Sequence, residues 1–374
     1  MTSTTKRRTG WYALLLVFAL LVAGCAQEGT GTTEEAGTTA TTADQGTAEE
    51  PTAEAPAPFD EGPVKIAIVQ NSGAGDYFQQ WTNGAMQQAE AIGFEVQVYD
   101  AQADNAKQAT DMETAIGSGV TGIIVDHGQT DTMCPLINDA LDAGIKVVIY
   151  DIAIAECAPD AIQTQQSDAS LADLVLGQML EDMGSDVNVG YVNVLGIAPL
   201  DRRHAVWEEY KADNSWSEEF FVGEFTNAVA TDNAQLVDAA LKATPDVAAI
   251  FAPYDELTKG TVSAIRENNR ETEISAYGID ISNADIEVMT DENSPWKATA
   301  TTDPNAIGAA VVRTMALELA GQHEARSVDF PGVLVTQQFL VDNSITNMED
   351  LRAALPELNL TDVNSADWIP SLEF

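Results

Sequence analysis

Val64-Lys-Ile-Ala-Ile-Val69, followed by an amphipathic stretch from about Tyr77 to Ile92, is the passage that decides the fold of this 374-residue chain. The run is apolar on both of its alternating faces and rich in β-branched side chains, so it suits a strand covered on both sides. Reading outward, the pattern repeats. Glu95-Val-Gln-Val-Tyr99 leads to a helix from about Asn105 to Ser118, and Gly122-Ile-Ile-Val125 to one from about Thr132 to Ala143. Lys146-Val-Val-Ile-Tyr150 closes this half. A second half has the same rhythm, with strands at Val187–Asn193, Phe220–Phe225, Val247–Phe251 and Ile274–Tyr277. Helices from about Asp201 to Ala212, Asn233 to Ala243, Leu257 to Asn268 and Ala284 to Thr290 lie between them. Such alternation predicts an α/β protein of two similar lobes, each a mostly parallel sheet flanked by helices.

In an open sheet of this kind ligands bind beyond the carboxyl ends of the strands. Polar residues gather there: Gln70-Asn71, Asp100, Asp126-His127, Asp151, Asn193, Tyr254-Asp255 and Asp280. A cleft between the lobes would combine both sets. Asp151 and Asp280 end comparable strands, and a carboxylate there can accept two hydroxyl hydrogen bonds from a polyol. The same residues would equally serve as helix N-caps. Arg202 and Arg203 follow Gly196-Ile-Ala-Pro-Leu-Asp201, and one of them could fork onto vicinal hydroxyls. Tyr77, Phe78 and Trp81 open the first helix, where an aromatic face can pack on the C–H face of a sugar ring; Trp81, one turn further in, suits the core.

Upstream, Lys6, Arg7 and Arg8 precede an apolar run from Trp11 to Val22 that is short for a membrane span and ends in small residues. Val22-Ala23-Gly24-Cys25 resembles the bacterial lipobox, which implies cleavage of residues 1–24 as a signal peptide, lipidation of Cys25 and an extracytoplasmic protein held on the cell membrane. Residues 25–62 carry almost no large apolar side chain and are expected to be a disordered linker. Cys134 and Cys157 are the other two cysteines. In an exported chain they are expected to form a disulfide between the first turn of a helix and the end of the next strand.

The chain holds 17 basic and 59 acidic residues, a net charge of -42. Once leader and linker are set aside, 14 basic and 50 acidic residues are left in the body. That field repels nucleic-acid phosphates and anionic headgroups and favours a neutral ligand. It also suits a saline habitat. Gly117-Ser-Gly119-Val-Thr-Gly122 matches a nucleotide-binding fingerprint by letter, yet it ends a helix and enters a strand, the reverse of what the fingerprint requires. His127, His204 and His323 are isolated from one another, so no transition-metal site and no cofactor is expected. No Gly-x-Ser-x-Gly elbow or P-loop is present. Two aspartates at strand ends would look alike in a sugar receptor and in a glycoside hydrolase.

Taken together, the segments Gly75–Gly84, Val148–Asp151, Phe251–Glu256, Gly278–Asp280 and Ala298–Pro304 resemble, in order and spacing, the type I periplasmic binding proteins of ABC importers, particularly the ribose- and galactose-type receptors. The resemblance runs from Val64 to about Phe339. It implies ring-stacking aromatics at Tyr77 and Phe78, strand-end carboxylates at Asp151 and Asp280, and a cleft arginine at Arg202 or Arg203. It further implies a polar residue at the last crossing near Thr302, with Asp303 beside it. Where the family has Asn, Arg and Asn, this chain has Gly75, Ile152 and Tyr254, which points away from ribose itself toward another pentose or hexose, or a sugar alcohol. The family's three hinge crossings would fall near Ser167, Thr302 and Gly332. The first lobe would then comprise residues 63–167 and 303–332, and the second 168–302 and 333–374.

The expectation is therefore a monomeric lipoprotein, not an enzyme, that captures a neutral monosaccharide or polyol and hands it to an ABC permease and its ATPase, touching the membrane only through its anchor. A sensory receptor for a sugar-like signal is the alternative, and an exported glycoside hydrolase a more distant one.

Overall fold

The computed structural model describes residues 47–48 and 51–374; the leader, Cys25 and most of the linker lie outside them. The chain forms β1 (Thr47–Ala48), β2 (Val64–Gln70), α1 (Asp76–Ile92), β3 (Phe94–Asp100), α2 (Asn105–Gly117), β4 (Gly122–Asp126), α3 (Thr130–Asp142), β5 (Lys146–Tyr150) and β6 (Ile162–Gln166). Next come α4 (Asp168–Met183), β7 (Asn188–Val192), α5 (Ala198–Asp213), β8 (Ser217–Val222), α6 (Val229–Ala243), β9 (Ala249–Ala252), α7 (Asp255–Glu267), β10 (Ser275–Ile279), α8 (Asn283–Thr290) and β11 (Trp296–Thr301). Last are α9 (Pro304–Leu319), β12 (Ser327–Phe330), β13 (Val333–Thr336), α10 (Gln337–Asp342), α11 (Met348–Ala354) and β14 (Leu372–Glu373).

Two six-stranded sheets result. The first has the order β12-β6-β5-β4-β2-β3 and is parallel throughout. The second has the order β13-β11-β10-β9-β7-β8 and is parallel except for β13, which runs antiparallel to β11. The chain leaves the first sheet after β6, returns to it through α9 after β11, and crosses again between β12 and β13.

Strand alternation explains the layering. Ile66 and Ile68 of β2 pack with Ile124 and Val148 against α1 and α9, whereas Ala67 and Val69 join Ile123, Val125 and Val147 against Met112 of α2 and Ile137 of α3. Both faces are therefore dry, as a parallel sheet requires. In the second lobe Val189, Tyr191 and Phe251 lie under Leu171 of α4 and Trp207 of α5. The opposite face is covered by Val237 of α6 and Leu257 of α7.

Helices α1 and α9 meet backbone to backbone. A Cβ on Gly308 would lie 2.1 Å from the Trp81 carbonyl oxygen, and one on Gly84 would lie 2.0 Å from that of Asn305. Only hydrogen at both positions permits this approach. It fixes the start of α1, with Tyr77 and Phe78, over the ends of the strands.

Two boundaries differ from the expectation. Residues 51–62 dock on the body: the Phe59 ring lies 5.3 Å from that of Phe94 and 5.0 Å from that of Trp368, and Thr52 N donates to Asp367 O at 2.8 Å. One aromatic in an otherwise small-residue segment suffices to anchor it. The end of the chain also leaves the second lobe. Arg313 of α9, 1% exposed, donates to the carbonyls of Leu360 (2.8 Å) and Val363 (3.1 Å), and Gln88 of α1 donates to that of Pro370 (2.8 Å). Buried donors with no carboxylate partner must find carbonyls, and the tail supplies them.

Cys134 and Cys157 are bonded, with Cα atoms 6.2 Å apart. Cys134 falls in the second turn of α3 rather than the first, and Cys157 follows β5.

Candidate functional site

A cavity of about 370 Å³ lies where the carboxyl ends of the two sheets face each other. The first lobe contributes Asn71 after β2, Tyr77 and Phe78 of α1, His127 after β4, Asp151 after β5 and Gln166 of β6. The second contributes Val194 to Ile197 after β7, Arg203 of α5, Phe225 after β8, Tyr254 after β9 and Asp280 after β10. Three of these strand-end residues have positive φ: His127 (54°), Asp151 (56°) and Asp280 (76°). Left-handed backbone is costly for residues with a side chain, and such strain concentrates where a side chain must be aimed.

A continuous polar network joins the lobes. Arg203 donates Nε to Asp168 Oδ1 at 2.7 Å, Nη1 to the Pro253 carbonyl at 2.6 Å and, more weakly, to Asp280 Oδ2 at 3.4 Å, while Nη2 donates to Gln166 Oε1. Gln166 Nε2 in turn donates to the Tyr77 hydroxyl (2.7 Å), Thr302 Oγ1 (3.0 Å) and Asp280 Oδ1 (3.2 Å). The Tyr77 hydroxyl is also bonded to that of Tyr150. Arg202 adds a second link, from Nε to Asp168 Oδ2 at 2.7 Å and from Nη2 to Asp151 Oδ1 at 2.5 Å.

Burial shapes the charges. Asp151 is pushed up to about 7, first by burial and then by repulsion from Asp168, with His127, Arg202 and Arg203 pulling the other way. Burial likewise raises Asp280, offset in part by Arg203 and Gln166. For Arg203 burial opposes the charge, yet Asp168, Asp280 and Asp151 together hold the guanidinium firmly protonated. His127 has the same balance: burial lowers it, but the Asp126 carboxylate 2.6 Å from Nδ1 wins and raises it. The site therefore holds fixed donors and acceptors that suit hydroxyl groups.

The aromatic side chains form an edge-to-face cluster. Phe78 lies 5.7 Å from Tyr77, 5.0 Å from His127 and 6.1 Å from Tyr254. Trp81 is fully buried and stacks on Tyr150 at 5.6 Å, in the core.

Tyr77, Phe78, Asp151, Arg203, Tyr254 and Asp280 thus line the cavity. Asp280 does not cap the next helix, because Ser282 does so by accepting from Asp285 N; after Asp151 the next element is β6, not a helix. Arg202 stands outside the cavity wall, in a groove with Gln163 and Asp201 between the lobes. Thr302 reaches the cavity only through Gln166. Asp303 is set apart: it does not line the cavity, and its carboxylate caps α9 at Asn305 N (2.9 Å) and pairs with Arg352 at 3.1 Å. Gln166 and Asp168, which join the arginines and aspartates, were not expected from the sequence, because β6 does not read as a strand and Gln166 therefore did not read as a strand end.

A second cross-lobe cluster lies beside the cavity. Lys259 of α7 contacts Asp76 of α1 at 2.6 Å, Glu256 at 2.7 Å, Asp285 at 3.6 Å and Asp255 at 3.8 Å. Ser282 Oγ donates to Asp76 Oδ2 at 3.3 Å, and Asp76 N donates to Glu256 Oε1 at 3.2 Å.

Comparison with known proteins agrees with this arrangement. The family model for the periplasmic binding protein domain matches residues 66–323. A crystal structure of the 5-methylthioribose transporter solute binding protein from Thermotoga lettingae, in complex with 5-methylthioribose, is 35% identical, with a TM-score of 0.80 over 82% of this chain and 97% of that one. A sugar ABC transporter protein from Yersinia enterocolitica is 31% identical, with a TM-score of 0.81 over 85% and 97%. The ribose import binding protein of Bacillus subtilis is 21% identical over 262 residues, covering 70% of this chain and 84% of its own.

Proposed function

We propose, from the premise that this chain belongs to the periplasmic binding protein domain family, that it is an extracytoplasmic lipoprotein that captures a neutral monosaccharide or sugar alcohol for an ABC importer. The observation that carries the reading is the single network through Gln166, in which Tyr77 of one lobe and Arg203 and Asp280 of the other meet at one cavity. Such an array of charged and neutral partners can take several hydroxyl groups at once, and charge-assisted bonds make them selective. Relatives that bind ribose and 5-methylthioribose favour a pentose-derived solute.

In this reading the crossings at 167, 302–303 and 331–332 act as a hinge between two lobes. One is formed by 63–167 with 303–332, the other by 168–302 with 333 to about 355. Closure buries the solute and presents the surface that a permease reads. Cys25 carries the lipid, the Cys134–Cys157 bridge is closed in the exported protein, and the receptor works as a monomer. Tyr77, Phe78, Asp151, Arg203, Tyr254 and Asp280 are the direct ligand contacts, and Arg202 and Thr302 support them. The solute leaves unaltered, so chromogenic glycosides incubated with the protein are expected to release no chromophore.

A thermal-shift screen against pentoses, hexoses and alditols tests the assignment, because a ligand that binds only the native state raises its Tm. Concentration-dependent shifts with one class of sugar are expected. A flat response across the whole library overturns it.

A further inference from the structure

The cavity divides into two chemically different ends. On the hinge side, at the ends of β5, β6 and β10, stand Asp151, Gln166 and Asp280, with Arg203 bonded among them. Toward the far edge of the second sheet, at the ends of β7 and β8, the wall is Phe225 and all but Ala198 of residues 194–200, a seven-residue run without one hydrogen-bonding side chain. Glu224, exposed, is the charged group on that side. On the facing lobe stand Asn71, whose NH2 is already donated to Asn105 Oδ1 (2.9 Å) and Gln108 Oε1 (2.8 Å), and the amides of Asn105 and Gln129, beside Ala103 and Gly128.

Leu195 is 52% exposed. Of the large hydrophobic side chains exposed among the described residues, it is the one that lines the cavity. An apolar surface left open at a ligand site marks where apolar ligand surface is to be covered. A hydroxyl set against Leu195, Ile197 and Phe225 would give up water and meet no hydrogen-bonding side chain among them.

Resting on the sugar-receptor reading, we infer that the solute is a pentose-sized sugar whose end remote from the hinge carries a short alkyl or alkylthio group in place of a hydroxyl. That group sits against Leu195, Ile197 and Phe225, and the ring hydroxyls are held by the hinge-side network. Val194 and Leu200 complete the apolar wall.

Calorimetry on the full chain with D-ribose and D-arabinose, each beside its methyl glycoside and its 5-methylthio derivative, tests the inference. At least one apolar derivative should bind about tenfold or more tighter than its parent, the scale of one methylene-sized group in a fitted pocket. The Leu195→Ser, Ile197→Thr double variant should narrow that ratio to less than about twofold. Methyl glycoside and methylthio arms separate substitution at the two ends of the sugar. Parent sugars that bind as tightly as every derivative would overturn the inference and leave the sugar-receptor reading standing. Absence of binding by all six compounds, together with a flat sugar screen, would overturn both.

Discussion

Asp76, in the first turn of α1, and Lys259, on α7, form an ion pair of 2.6 Å that crosses from one lobe to the other. Among the described residues, Lys259 is also the one cation within 4 Å of Asp255 and Asp285, both fully buried. Burial raises both carboxyls, and Lys259 counters it. Lys259→Met would leave that charge uncompensated, and removing one partner of a buried pair costs about 3–5 kcal/mol. Urea unfolding is expected to show a loss in the lower part of that range, since Lys259 keeps some exposure to water. A midpoint equal to the parent's would mean that the cluster is not held together by this lysine.

Stability should fall as pH rises from about 4 to about 7. Asp151 and Asp285 are each pushed up to about 7 by burial, whereas the unfolded chain ionises near the ordinary value of 3.8. Their contribution is therefore complete below the unfolded value and is lost as pH climbs through the folded one. The Tm of the ligand-free protein is expected to be higher at pH 5 than at pH 7, and Asp151→Asn should flatten part of that slope. A Tm that climbs steadily across the same window would contradict the assignment.

Asp280 offers carboxylate oxygens to the cavity from a left-handed backbone position. Asp280→Ala should weaken solute binding by about 1.5–3 kcal/mol, the range for hydrogen bonds to charged groups. Calorimetry with whichever sugar the thermal screen selects reads this directly, and unchanged affinity would remove Asp280 from the site.

Gly308→Ala should push α1 and α9 apart, because the new methyl would meet the Trp81 carbonyl at 2.1 Å. Overpacking of this kind costs about 1–3 kcal/mol. Solute affinity should drop as well, since Tyr77 and Phe78 ride on α1. Chemical denaturation and calorimetry on the same variant separate the two effects.

Neither Cys134 nor Cys157 should react with a thiol reagent until the protein is reduced. Replacing both by alanine should cost about 3 kcal/mol, the scale for a loop somewhat longer than fifteen residues. Labelling of the native, unreduced protein would show that the bridge is open.

The elements that sequence displays most clearly are those whose burial is total. β2, β4 and β5 are continuous apolar runs because helices cover both of their faces, and their positions match within a residue or two. β6, Ile162-Gln-Thr-Gln-Gln166, carries no such mark, since alternate side chains face polar surroundings and Gln166 serves the network. The edge strand β8 lies at Ser217–Val222, three residues before the expected Phe220–Phe225, because an edge tolerates Ser217-Glu-Glu219 on its open side. At the site, strand-end carboxylates and the leading aromatics of α1 were legible from position alone. Asp168 was not: it opens α4 just past the first crossing, and only the folded chain brings it to both arginines. Asp303 reads as a site residue by its neighbourhood and proves to be a helix cap, a distinction that depends on Arg352, far along the chain.

The docking of residues 51–62 alongside the C-terminal tail bears on how the molecule can flex. Phe59 and Thr52 fasten the incoming chain to Phe94, Trp368 and Asp367, and Arg313 and Gln88 fasten the tail to α9 and α1. These fastenings all fall on the half built around β2, α1 and α9, and none of them reaches Arg203 or Asp280. Were the halves to hinge as proposed, the one holding both fastenings would be the stationary jaw, and the one bearing Arg203 and Asp280 the tongue of the trap.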